Sequence, residues 1–309
     1  MTNVPHVPVM LDAVCNHLLI ERDGVYLDGT VGFGGHSSEI LKYLNKDGRL
    51  IGLDLDPYAL EYSNKHLSVH LNLFSLYHAS YKDFPEIIDS LGIKKLNGML
   101  FDLGTSSYQV DSSHRGFSYM RESDLDMRFN NSRGLTAKEF LNSVGEGELA
   151  DIIYLNSQEK KSRHIASSII RMVKNGNMLT TLDLKHAIER KVDRRYLIKS
   201  LSRVFQAIRI HVNNELDSLK ELLSFAFDYL DTDGRIIFIT FHSIEDKIVK
   251  TFLKKNSIHC ICPKELPVCA CNVKPKIKII TKKALSPSSD EIKINNRARS
   301  AKMRIAKGL

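Results

Sequence analysis

With 309 residues, 43% of them hydrophobic and 26% charged, the chain has the ordinary composition of a soluble globular protein and enough length for one large domain or two smaller ones. No apolar run approaches the roughly 20 residues that span a bilayer, and the opening MTNVPHVPVMLDAV lacks the basic-then-apolar layout of a secretion signal, so the cytoplasm is the expected compartment. The net charge of +8 is concentrated in two blocks, with 13 Lys/Arg against 5 Asp/Glu from Asp151 to Ile210 and 11 against 2 from Lys274 to Leu309, on an otherwise acidic body.

Such segregation suits a polyanionic partner, although solvated helix faces and a frayed basic tail would produce the same count. Aromatic residues are sparse in both blocks, so base stacking is not evident there.

Between Val25 and Leu103 the pattern alternates four times. Strand-like apolar runs cover 25–31, 49–55, 71–79 and 96–103, and helix-like periodicity fills Ser37–Leu44, Pro57–Leu67 and Asp83–Leu91. Strands alternating with helices predict a mostly parallel sheet covered on both faces, with ligands bound at the carboxyl ends of its strands. A stretch rich in Ser, Gly, Asp and Arg follows from Gly104 to about Arg133, too long and too aromatic for a simple linker. From Thr136 to about Lys199 the periodicity is helical throughout, and Leu201–Leu230 reads as one or two further helices. The chain returns to strand character at RIIFITFHS (235–243), and Glu245–Lys255 is again helical. The expected organisation is an α/β domain interrupted after its fourth strand. Its first part spans residues 1–110, a loop plus helical insertion spans 111–199, and its second part spans 200–309 with a cysteine hairpin and a basic tail.

The chemistry concentrates at the strand ends. Asp28-Gly29-Thr30-Val31-Gly32-Phe33-Gly34 follows the first strand and precedes a helix, the arrangement that places backbone N–H groups against a nucleotide. A nicotinamide fingerprint would carry a third glycine where Ser37 stands. The acid-led spacing instead resembles the D-x-G-x-G-x-G turn of class I S-adenosylmethionine-dependent methyltransferases, with Thr30 in the first glycine slot. Asp54, in GLDLDP at the end of the second strand, suits a ribose diol, whose two hydroxyls can both donate to a carboxylate. Asp56 before Pro57 is the better helix cap.

Seven blocks occur in order: DGTVGFGGHS, GLDLDP, LFDLGTSSYQVD, RGFSYMRESDLDMR, FQAIRIHVNNEL, FHSIEDKIVK and NNRARSAKMRIA. Together they resemble the RsmH (MraW) family, which methylates the N4 amine of a cytidine in the 16S RNA of the small ribosomal subunit. The resemblance implies a Rossmann-like methyltransferase fold with an inserted helical domain that recognises RNA. It implies S-adenosyl-L-methionine as cofactor and the small subunit as partner, with no membrane involved; a homodimer is compatible with it. Cofactor contacts carried over by position fall on Gly34, Gly35, His36, Asp54, Asp102 and Gln109, and on Tyr81, where the family typically has Phe. Thr105 and Tyr108 stand where Val and Pro are common in the family, and neither change removes a needed polar group.

The resemblance leaves the catalytic acceptor open, because the Asn/Asp-Pro-Pro-aromatic motif of well-known amine methyltransferases is absent. Asp102 is the leading candidate, followed by Ser106, the carbonyl region of Gly104, and His242. His36 also reads as a helix-start histidine packed on the sheet, and His242 with Ser243 as a helix cap. No metal is assigned to the site. Cys260, Cys262, Cys269 and Cys271 can form either a structural zinc site or a hairpin of buried thiols. A nicotinamide-dependent oxidoreductase and a non-catalytic ribosome-assembly factor that binds RNA remain the competing readings.

Overall fold

The computed structural model describes residues 8–70, 72–260, 262, 271 and 273–309. The chain divides into two compact units, one formed by Met1–Gly104 with Ser218–Leu309 and the other by Thr105–Asp217.

The first unit opens with α1 (Leu11–Leu18) and β1 (Val25–Asp28). It continues through α2 (Gly35–Tyr43), β2 (Arg49–Asp54), α3 (Pro57–His66), β3 (Phe74–His78), α4 (Phe84–Ser90) and β4 (Leu96–Asp102). The second unit holds α5 (Ser107–Asp111), α6 (Ala137–Ser143), α7 (Glu146–Ser157), α8 (Ser162–Lys174), α9 (Thr181–Glu189) and α10 (Leu197–Val212). After α11 (Glu215–Tyr229) come β5 (Leu230–Thr240), α12 (Ser243–Asn256), β6 (Ile277–Ile279), α13 (Ser289–Ile294) and β7 (Lys302–Gly308).

The sheet order is β3-β2-β1-β4-β5-β7-β6. The first five of these strands pair in parallel, and β7 runs antiparallel to both β5 and β6. Helices on both faces explain why the strands are apolar almost throughout rather than alternating. Leu27, Met99, Phe101 and Phe238 enter one core, while Tyr26, Leu100, Ile237 and Ile239 enter the other, all with no exposed surface. This is the mostly parallel, Rossmann-like α/β fold that the sequence predicts. Strand order reverses between β1 and β4, the position where such sheets open a crevice for a ligand.

Capping residues set the helix starts. Asp56 accepts from the Tyr58 N–H at 3.1 Å with Pro57 in the first helical position of α3. Thr136 with Glu139, and Thr180 with Asp183, form reciprocal capping boxes that open α6 and α9.

Three features depart from the sequence reading. The expected boundaries at 110/111 and 199/200 fall instead at 104/105 and 217/218. The reason is packing: Leu201, Val204, Phe205 and Ile208 of α10 are buried in the core of the inserted unit. The stretch after Gly104 also contains α5, and its Phe117, Leu125 and Met127 are buried in that same core.

The basic tail is not frayed, because β7 completes the sheet with Met303, Ile305 and Ala306 buried. Arg304, one of the cations of the basic tail, is 8% exposed and donates to Asp246 at 2.7 and 3.1 Å. Lys302 approaches the same carboxylate at 3.4 Å. Two of the tail's cations thus serve an internal ion pair. Among the described residues, no helix is long and apolar enough to cross a membrane.

Candidate active site

The carboxyl ends of β1, β2 and β4 each finish on an aspartate: Asp28, Asp54 and Asp102. The turn after β1 is held by two of them. Asp28, fully buried, accepts from the Thr30 N–H at 3.1 Å and from the Ser37 hydroxyl at 2.7 Å. Asp54 accepts from the Gly32 N–H at 2.7 Å and from the Asp56 N–H at 2.8 Å. Gly34 turns the chain into α2 with φ of +79°, a left-handed conformation that a side chain would strain, and Pro8 packs 2.9 Å from where a Cβ on Gly35 would lie.

Thr30 has a role that the sequence reading did not assign. Its hydroxyl accepts from the Asp102 N–H at 2.7 Å, tying the glycine turn to the end of β4. The signal was present: a hydroxyl in a slot that related turns fill with glycine.

His36, 6% exposed, places Nε2 3.0 Å from the Val9 carbonyl. That contact puts a proton on Nε2, and Nδ1 faces Asp102 Oδ2 from 3.9 Å. His36 is therefore both packed at a helix start and facing the site. Tyr81 follows β3 and sets its ring edge-on to Phe101, with centroids 6.2 Å apart.

His242 follows β5 and caps α12. Its Nδ1 accepts from the Glu245 N–H at 3.4 Å, while Glu245 Oε2 accepts from the N–H groups of Phe241 and His242. Glu245 Oε1 lies 3.0 Å from His242 Nε2. The capping alternative for His242 is thus realised.

Ser106 and Gln109 lie in the second unit, where they open α5. The Ser106 hydroxyl accepts from the Gln109 N–H at 3.2 Å, and Gln109 Oε1 accepts from the Ser106 N–H at 3.1 Å. Gly34, Gly35, His36, Asp54, Tyr81, Asp102 and His242 all belong to the first unit.

The electrostatics of the three aspartates are unusual. Burial pushes the Asp28 carboxyl up to about 6, against the opposing bonds from Ser37 and Thr30. Burial also lifts Asp54 to about 6, although the Asp56 and Gly32 N–H groups pull the other way. Asp102 rises well above the ordinary carboxylate range through burial first, then the charges of Asp28 and Glu245. One of its oxygens, Oδ1, is buried without a hydrogen-bond partner. Within salt-bridge distance, His36 is the sole basic side chain paired with any of the three among the described residues.

Leaving a buried carboxylate oxygen unmet costs about 1–3 kcal/mol or more, and a cluster of such groups is stabilised by a bound cation or by donated N–H groups. The site is therefore matched to a ligand that brings positive charge. The adjoining turn spends the N–H groups of Gly29, Thr30, Val31, Gly32 and Gly34 on internal bonds, so its part is to hold the strand-end carboxylates in place.

Of the four cysteines, Cys260, Cys262 and Cys271 bring their sulfurs within 4.8 Å of one another, and Cys269 lies outside the described residues.

Residues 3–309 match the family model described as the MraW methylase family. A ribosomal RNA small subunit methyltransferase H from Caldicellulosiruptor bescii is 41% identical over 302 residues, covering 97% of this chain and 98% of that protein. The protein of the same name from Carboxydothermus hydrogenoformans is 42% identical over 306 residues, with 98% of each chain covered.

Proposed function

The chain belongs to the MraW methylase family, and on that premise we propose that it transfers a methyl group from S-adenosyl-L-methionine to the N4 amine of a cytidine in small-subunit 16S ribosomal RNA. The observation that carries the mechanistic reading is the unpartnered Oδ1 of Asp102, at the end of β4 beside the glycine turn. The cation-poor carboxylates at the strand ends fit this cofactor: Asp54 would hold the ribose hydroxyls, Gly34, Gly35 and His36 the amino-acid end, and Tyr81 would cover the adenine. Gln109 and Asp102 complete the proposed set. When bound, the cofactor supplies a sulfonium-activated methyl group.

The cytosine amine is a weak nucleophile because its lone pair is delocalised into the ring. A base acceptor on its hydrogens favours the pyramidal nitrogen needed for attack and stabilises the positive charge that develops there. Asp102 Oδ1 offers that acceptor in a low-dielectric setting, where the interaction is strong. His36 Nδ1 faces the other oxygen of the carboxyl, placed to share a proton with Oδ2. Thr30 fixes the backbone from which Asp102 projects, so the carboxyl is positioned before the base arrives. The target base must be unpaired or extruded to reach a buried group. Ser106 is the next candidate acceptor; His242 is not, because its Nδ1 accepts from the Glu245 N–H, which leaves the ring proton on Nε2 facing Glu245 Oε1.

The inserted unit is proposed to grip the RNA. Its exposed Arg194 and Arg195 sit beside a half-exposed Tyr196, with the Arg195 guanidinium 4.7 Å from the ring centroid. Phosphate contacts there would position the substrate without reading its bases.

Family membership removes the basis for an oxidoreductase, and an intact set of strand-end aspartates argues against a purely non-catalytic assembly factor. The experiment is transfer of a labelled methyl group to small subunits and to free 16S RNA from cells lacking the protein, followed by nucleoside mass spectrometry. N4-methylcytidine is the expected product. Label at carbon 5, on another base, or nowhere would overturn the assignment.

A further inference from the structure

The chain leaves α12 at Asn256 and returns at Lys276, whose N–H donates to the Asn256 carbonyl at 2.9 Å. That bond pinches the base of an excursion that leads into β6 at the edge of the sheet. Within it, the sulfurs of Cys260, Cys262 and Cys271 converge. The Cys260 and Cys271 sulfurs are 3.8 Å apart, and the Cys262 N–H donates to the Cys260 sulfur at 3.4 Å.

We propose that Cys260, Cys262 and Cys271 bind a zinc ion that clamps this excursion in a structural role. A tetrahedral zinc site with zinc–sulfur bonds of about 2.3 Å has sulfur–sulfur edges of about 3.8 Å, the separation of Cys260 from Cys271. All three sulfurs lie within 4.8 Å of one another, as the ligands of a single ion must. The N–H donated to the Cys260 sulfur stabilises the thiolate form that a metal requires. Each of the three thiols releases its proton on binding, and no electrons change hands. The sequence offers Cys269 as a fourth ligand in the same motif.

The consequence is mechanical. Residues 257–275 connect α12 to a strand of three residues whose buried Ile277 reaches the core. A clamp across Cys260 and Cys271 shortens the free loop and so reduces the entropy lost when β6 docks on β7. The site is remote in sequence from the strand-end aspartates, so its role is separable from methyl transfer.

The test uses the full chain, purified without a histidine tag from zinc-supplemented cells, with metal content measured by plasma mass spectrometry. About one zinc per chain is expected, falling to background in the Cys260→Ser/Cys271→Ser variant and persisting in Cys15→Ser, whose thiol lies in α1. Replacement by cobalt(II) is expected to give a sulfur-to-cobalt charge-transfer band that the double variant lacks. If the double variant does not fold, the wild type decides: removal of zinc by EDTA should lower the thermal midpoint, and added zinc should restore it. Wild-type protein free of tightly held metal would overturn the proposal. So would a midpoint indifferent to EDTA, a cobalt band surviving in the double variant, or an intact mass two hydrogens short that maps to a disulfide between Cys260 and Cys271.

Discussion

Asp102→Asn should move stability and activity in opposite directions. In the ligand-free protein the carboxyl is buried, faces the charges of Asp28 and Glu245, and leaves Oδ1 without a partner. The amide is nearly isosteric and uncharged, and its NH2 can take the place of Oδ2, 3.9 Å from His36 Nδ1. The amide oxygen still takes the unpartnered Oδ1 position, so the gain comes from removing a buried charge beside Asp28 and Glu245, about 1–3 kcal/mol. For a chain of this size that corresponds to a rise of roughly 1.5–5 °C in the thermal midpoint. Methyl transfer should fall by about 10²–10³-fold, the usual cost of losing one group that stabilises charge in the transition state. The charge matters most as the amine nitrogen becomes cationic, so single-turnover transfer at saturating cofactor isolates the step. Calorimetry of the ligand-free variant supplies the stability arm. Full transfer at saturating cofactor would reduce Asp102 to a binding residue and move the acceptor to Ser106 or the Gly104 carbonyl. A lowered midpoint would refute the electrostatic account of the site.

Asp54→Ala should weaken S-adenosyl-L-methionine binding by about 1.5–3 kcal/mol in titration calorimetry, with Asp54→Asn losing less because its one amide oxygen can still accept from either the Gly32 or the Asp56 N–H. Both Asp28 and Asp54 are lifted to about 6 from an ordinary value near 4, so the native state holds their protons more tightly than the unfolded chain does. Stability of the ligand-free protein should therefore decline as pH rises from about 4 to about 6, while affinity for the cationic cofactor rises over the same interval. Urea unfolding and calorimetry across that range check both slopes, and parallel slopes would contradict the assignment. Neutralising Arg194 and Arg195 should lower RNA affinity and reduce the salt slope by about 0.7 for each single-strand phosphate that is no longer neutralised, with cofactor affinity unchanged. A joint fall in RNA and cofactor affinity, by filter binding and calorimetry, would indicate a damaged fold.

What could be read from the sequence follows from which signals are local. β1, β2 and β4 announce themselves because each is an unbroken apolar run ending in an aspartate, and a strand buried on both faces needs nothing else. The turn after β1 is equally plain, since its glycines and acid adjoin in the chain. β7 was hidden because its lysines and arginine break the apolar run, and only the distant partner Asp246 makes a buried Arg304 tolerable. The reach of the inserted unit to Asp217 was hidden for a related reason: the helical period of α10 is visible, but which core it fills is decided by packing. The grouping of Asp28, Asp54 and Asp102 was legible from topology. The bond from Asp102 to Thr30 was not, because it joins residues 72 positions apart.

The position of β7 bears on the order of events during synthesis. The inserted unit is one continuous stretch, Thr105–Asp217, and has its own core, so it can collapse while the rest of the chain is still being made. The sheet cannot. β5 waits with one edge open until Lys302–Gly308 arrives to lie between it and β6, and those residues are translated after every other strand. A nascent or truncated chain would expose that edge, with its run of isoleucines and phenylalanine, as a ready template for another strand. Sheet closure is thereby withheld from every partial product that stops short of β7, and such products are the ones a cell must shield from one another.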